Sequence, residues 1–168
     1  MGLFDSLFGK DPSADWPERA PQSLRLSLAD LSLNNMAIGD SSDRLSTFGR
    51  PSNNRPFKEE RFTYQNLGIE IEIEHDSISY FAFPLARQEN DFTGPCMLTL
   101  VFPDGHSLSV DGNTGVKVLL ENLPVPAETH KDDDETIYLV TIKGNTLELE
   151  TSNAGLLRRI NVIRGTEI

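Results

Sequence analysis

The strictest alternation of apolar and polar positions runs through Leu67-Gly-Ile-Glu-Ile-Glu-Ile-Glu-His-Asp76. A period of two marks a strand, whose successive side chains take opposite faces. Ile69, Ile71 and Ile73 therefore point one way, and Glu70, Glu72 and Glu74 the other. The same period predicts strands over 23–28 (SLRLSL), 61–65 (RFTYQ) and 77–84 (SISYFAFP), with Asp76 and Ser77 in the turn before the last. A further short extended segment covers 31–39. Two hairpins follow. CMLTLVF and HSLSV flank a Pro-Asp-Gly turn, and TIYLVTI and TLELETS flank Lys-Gly-Asn; LLRRINVI is the last strand.

Two stretches carry a helical period instead. Asp40 or Ser41 can cap a short helix in which Leu45 and Phe48 fall three apart, with Gly49 and Pro51 as its stop. Asn113 or Thr114 can cap a second, with Val116, Leu119, Leu120 and Leu123 on one face and Pro124 after it. Residues 50–58 and 125–135 read as polar loops. Each half thus runs helix, polar loop, three strands. The predicted fold is α+β: a largely antiparallel sheet with one or two short helices packed on one face, in two tandem α-β-β-β modules. The expected division is a flexible segment and linker over 1–22, a first module over 23–90, and a second over 91–168 sharing the sheet. Trp16 is expected to dock on the folded part.

The run IGDSSDRLSTFGRPSN followed by YQNLGIEIEIEHDSISYFAF resembles the helix-then-strands signature of the beta-lactamase-inhibitor-protein-like modules, which also occur in small outer-membrane-assembly lipoproteins. The residues at the motif positions are Gly39, Leu45, Gly49, Pro51, Tyr64, Leu67, Gly68, Ile73 and Ile78. They are caps, stops and apolar strand positions. The resemblance covers about a third of the chain and implies a binding scaffold without catalytic residues. The second half follows only in the order of its elements. No secretory leader, lipobox cysteine or cysteine pair is read here, which turns the expectation from the envelope to the cytoplasm.

Charge narrows the partner. The 168 residues carry 15 Lys and Arg against 26 Asp and Glu, a formal net charge of −11. Such a chain repels phosphate backbones, so no nucleic-acid binding is expected. A basic protein surface is the complementary partner. The single cysteine, Cys96, forms no internal disulfide, and no zinc-ligand spacing is present. No apolar run is long enough to span a bilayer. Leu3, Phe4, Leu7 and Phe8 share one face of a short helix, which offers the one route to a membrane surface and a second way to dock a partner.

Candidate chemistry is sparse. Neighbouring glutamates on one strand face stand about 6.5–7 Å apart, too far for two of them to hold one small cation unaided. A glycosidase pair of carboxylates would need a cleft that nothing in the pattern supplies. Asp132, Asp133, Asp134 and Glu135 lack the spacing of a calcium loop. Cys96, His106 and Asp111 imitate a triad by proximity alone, and His75 and His130 read as solvent histidines. No cofactor motif is present.

The expectation is therefore a non-enzymatic protein-binding module, a bacterial immunity or inhibitor protein in its most concrete form, and a monomer or weak dimer. Its partner-binding face would carry Glu70, Glu72 and Glu74, with Glu148 and Glu150 repeating the row in the second half and Arg159 and Asn161 beside them. Alternation from Ile78 turns Tyr80 and Ala82 inward and adds Phe81 and Phe83 to the face. The opposite phase, with Phe81 and Phe83 in the core and Tyr80 outside, competes with it. The alternative function is a peripheral adaptor or chaperone docked through its amphipathic N-terminus.

Overall fold

The structure, a computed structural model, describes residues 11–18, 23–87 and 94–165. Among these residues, ten strands form two sheets. In chain order they are β1 (Leu24–Ser27), β2 (Arg61–Tyr64), β3 (Ile69–Glu74), β4 (Ser77–Pro84), β5 (Leu98–Val101), β6 (Ser107–Val110), β7 (Glu128–Lys131), β8 (Glu135–Ile142), β9 (Asn145–Ser152) and β10 (Leu157–Ile163). The larger sheet has the order β2-β3-β4-β10-β9-β8-β7 and is antiparallel throughout. The smaller one has the order β1-β5-β6, with β1 parallel to β5. The architecture is α+β, with the helical part confined to short turns.

One apolar cluster joins both sheets. Phe62, Ile71, Phe81, Val162, Leu147 and Val140 contribute from the large sheet, and Leu24, Leu26, Leu98 and Leu100 from the small one. The 3₁₀-helix Ser42–Phe48 adds Leu45 and Phe48 to the same core. Its start and stop follow the predicted chemistry: Ser41 accepts the amide of Asp43, and Gly49 closes it at a φ of 76°. Phe48 lies 5.6 Å from the Tyr64 ring. The second helix is shorter than its apolar period predicts. The helical part here is Lys117–Leu120, with Val116 and Leu119 buried and Val118 facing solvent.

The turns decide where strands end. His75 and Asp76 both take positive φ, 49° and 61°, so the β3–β4 turn sits one residue earlier than expected and Glu74 pairs with Ser77. Gly68, at φ 65°, lies so close to the backbone of Gly94 and Cys96 that a Cβ would collide with it. The expected docking of Trp16 is present. Its ring stacks on Phe62 at 5.7 Å and meets the edge of Phe57 at 5.8 Å. Three readings need correction. Pro56–Glu59, which begins inside the expected polar loop 50–58, is one turn of helix. Glu128–Lys131, expected as loop, is a strand. The β5–β6 hairpin leaves the large sheet and pairs with β1 instead.

Candidate functional site

Strand registers align the pleats across the large sheet. Glu70 on β3 lies opposite Ala82 on β4, Ala82 opposite Asn161 on β10, Asn161 opposite Glu148 on β9, and Glu148 opposite Leu139 on β8. The neighbouring rows set Glu72 opposite Tyr80, and Arg159 opposite Glu150, which faces Ile137. Opposed residues share a face. The carboxylates of both halves, Glu70, Glu72, Glu148 and Glu150, therefore line one side of a single sheet, away from the apolar cluster. Arg159 and Asn161 share that side as predicted.

Phe81 and Phe83 do not. Both are fully buried, and they lie opposite Ile71 and Val162, and Ile160. The cause is a β-bulge. Ile73 pairs with Ile78 but Glu72 pairs with Tyr80, which leaves Ser79 as an extra residue. One inserted residue reverses the alternation beyond it. Ile78 stays in the core, and everything from Tyr80 onward changes face. Phe81 and Phe83 are thus core residues and leave the expected docking surface, while Tyr80 takes their place on it.

Asn161 sits at the middle of this face, 3% exposed. Its amide nitrogen donates to Glu148 Oε1 at 2.7 Å and to Glu150 Oε1 at 2.8 Å. Its amide oxygen accepts from the Tyr80 hydroxyl at 2.8 Å and from Arg159 Nε at 3.1 Å. Two donors on the oxygen side hold the amide in this orientation, with its N–H groups toward both carboxylates. A cation there would meet N–H groups rather than an oxygen. Burial pushes the Glu150 carboxyl above its ordinary range, against the opposing pull of the Asn161 hydrogen bond and the Arg159 charge. Burial likewise pushes the Tyr80 phenol up to about 12, with Arg159 opposing and Glu150 and Glu148 assisting. Tyr80 is a neutral donor at physiological pH.

The carboxylates of the first half also have cations, which the sequence reading missed. Arg61 on β2 donates to Glu72 at 2.6 Å and stands 4.0 Å from Glu70, whose side chain is only 11% exposed. Arg164 approaches Glu74 at 3.9 Å. The signal was the register: Arg61 lies opposite Glu72 once β2 and β3 pair. Half-buried Ile137, Leu139 and Ile163 share this face, opposite Glu150, Glu148 and Tyr80.

Comparison with known proteins returns no match: no family model, no curated protein and no solved structure matches the chain. The face is therefore read from its own geometry.

The remaining candidates separate. Cys96 is buried, which pushes its thiol up to about 12. A thiol so far from ionising is a poor nucleophile. His106 bonds Asp104 at 2.5 Å and stacks on Phe102, all within its own hairpin turn. Asp132 accepts the amides of Asp134 and Glu135, so the acidic run closes its own turn. No group of three or more metal-ligating side chains occurs among the described residues. No helix among them is long and apolar enough to cross a membrane. Leu3, Phe4, Leu7 and Phe8 lie outside the described residues. A cavity of about 570 Å³ lies on the small sheet, lined in part by Ser27, Ser32 and Asn34. Ser27 and Ser32 already bond Ala29 and Asp30, and Asn34 holds Arg25 and Ser23.

The raised Glu150 carboxyl makes a prediction about stability. The folded chain holds this proton more tightly than the unfolded chain. The linked stability is present at low pH and is lost as pH rises from the ordinary value of 4.5 through the folded value. Glu150→Gln keeps an oxygen for Asn161 and removes the charge. We expect its Tm at pH 7 to rise, by a small amount because solvent screens the half-buried carboxyl. The gain should shrink toward pH 4. Thermal melts across that range check it, and a gain that grows on acidification refutes the assignment.

Proposed function

We propose that the protein is a non-enzymatic binding module that docks a basic protein surface on the polar face of its large sheet. One observation carries this reading. Carboxylates from both halves of the chain share one sheet face, and Tyr80, Ile137, Leu139 and Ile163 stand partly exposed among them. Aromatic and aliphatic anchors ringed by charge are the composition of a protein interface. The net charge of −11 would steer a cationic partner toward it. The polar network of Asn161 holds its residues in place before binding, which lowers the ordering cost of association. In this reading the last strands of the two halves, β4 and β10, lie side by side and join their acidic rows into one face. In that form the protein neutralises a cationic toxin or enzyme from the cytoplasmic side.

The test reverses charge where the fold tolerates it. Glu70 is left alone because it is nearly buried. Glu72→Lys with Glu74→Lys changes the more exposed positions, whose side chains are 37% and 59% exposed. A partner isolated on the wild-type protein should be basic, and its affinity should fall at least about tenfold with the double variant. The loss should be greatest at low salt. A partner that is acidic, or one whose affinity stays within about twofold, ends the proposal.

A further inference from the structure

The two sheets expose four edges, and the chain treats them differently. A free strand edge presents unpaired N–H and C=O groups that template further pairing. At β2 the edge is filled. Ser52 donates its amide to the Thr63 carbonyl, Asn53 accepts from the Thr63 amide and donates to the Arg61 carbonyl, and the Ser52 hydroxyl takes the Gln65 amide. At β1 the turn 32–36 does the same: Ser27 bonds the Ser32 carbonyl, and Asn34 exchanges bonds with Arg25 through its amide and side chain. The edge strand β7 carries Glu128, His130 and Lys131, all exposed, and charged side chains guard an edge against pairing.

The fourth edge has neither device. β6 reads Ser107-Leu108-Ser109-Val110, with no charge and no proline. The Phe102 amide donates to the His106 carbonyl at the hairpin end. Antiparallel pairs alternate from there, so Leu108 and Val110 bond β5 while Ser107 and Ser109 turn their N–H and C=O groups outward. Among the described residues nothing bonds these four groups. Both serines are exposed, and Leu108 is half-buried.

We propose that β6 is a homodimer edge, pairing antiparallel with β6 of a second copy about a two-fold axis through Leu108. The occupant follows from self-complementarity. The axis sets Ser107 against Ser109 of the second copy and the reverse, so the four outward groups of each chain all find partners. It places the two Leu108 side chains face to face in a non-hydrogen-bonded pair, where side chains approach most closely. The serine hydroxyls meet on the other face, where cross-strand hydroxyl pairs are favourable. Two chains of net charge −11 repel, but the strand itself brings no like charges into register. The product is one continuous six-stranded sheet with an isologous interface. This edge is distinct from the carboxylate face, so dimerisation leaves that face available.

The interface is short and the dimer weak, so the full chain is followed by sedimentation equilibrium up to about 1 mM. We expect a monomer–dimer equilibrium for the wild type. Ser109→Pro removes an outward N–H without touching the β5 ladder, a position where an edge strand accepts proline. It should weaken the dimer at least about tenfold with unchanged far-ultraviolet dichroism. Amide exchange on the wild-type chain supplies a readout that does not depend on the variant folding. The Ser107 and Ser109 amides should slow as concentration rises, while those of Thr129 and Lys131 on β7 should not. A wild type that stays monomeric to that limit, a Ser109→Pro dimer as tight as the wild type, or concentration-independent exchange at Ser107 and Ser109 overturns the proposal.

Discussion

Phe81→Ala should lower the unfolding free energy by about 3–5 kcal/mol, the usual result of removing a fully buried aromatic ring. Phe81 has no exposed surface, lies opposite Ile71 and Val162, and contacts the Phe83 ring at 6.3 Å. Domains of this size have about 5–15 kcal/mol of stability to lose. The melting temperature should therefore drop by roughly 10 °C or more. Urea or thermal melts measure it directly. The result bears on the site as much as on the core. If Phe81 stood on the outer face, truncation would change stability by no more than about 0.5 kcal/mol, the usual surface value. A small effect would mean that the alternation runs unbroken through Ser79, and the polar face described above would lose Tyr80.

Asn161→Asp should cost a similar amount at pH 7, about 3–5 kcal/mol, for an electrostatic reason. The side chain is 3% exposed, and its N–H groups are the link between Glu148 and Glu150. A carboxylate in its place removes both donors and sets a third negative charge against the other two. The Tyr80 hydroxyl and Arg159 still face the remaining oxygen, but one guanidinium does not balance three carboxylates. Burial and like charge both raise the pKa of the new acid in the folded state. The folded chain then binds its proton more tightly than the unfolded one, so the deficit should shrink as pH falls toward 4 and be greatest at neutral pH. Denaturant melts of both proteins between pH 4 and 7 give the comparison. A pH-independent loss would mean that the amide acts by shape alone.

The carboxylate row was legible because Ile69, Ile71 and Ile73 demand one buried face, and a strand leaves the alternate glutamates no other side. The helix over Ser42–Phe48 was legible from its cap, its apolar pair and Gly49. The phase of β4 was not, because Ile78, Tyr80, Phe81, Ala82 and Phe83 are apolar on both faces and the pattern permits either. The strand β7 was missed because Glu-Thr-His-Lys buries nothing and owes its form to backbone pairing with β8. Arg61 was found only through register, and so were the partners of Asn161, since both act on residues of other strands.

Local sequence determined the strands with one apolar side, the turns at Gly105 and Gly144, the excess of negative charge and the outward row of glutamates. These follow from side-chain period and backbone φ, which a few neighbouring residues set between them. Tertiary pairing decided that both acidic rows share one sheet, that a single bulge at Ser79 turns two phenylalanines inward, and that one amide ties Glu148 to Glu150. Each depends on which strand lies beside which and in what register. The energy that selects the register, burial of Phe81 and Phe83 against Ile71, Val162 and Ile160, comes from residues distant in the chain.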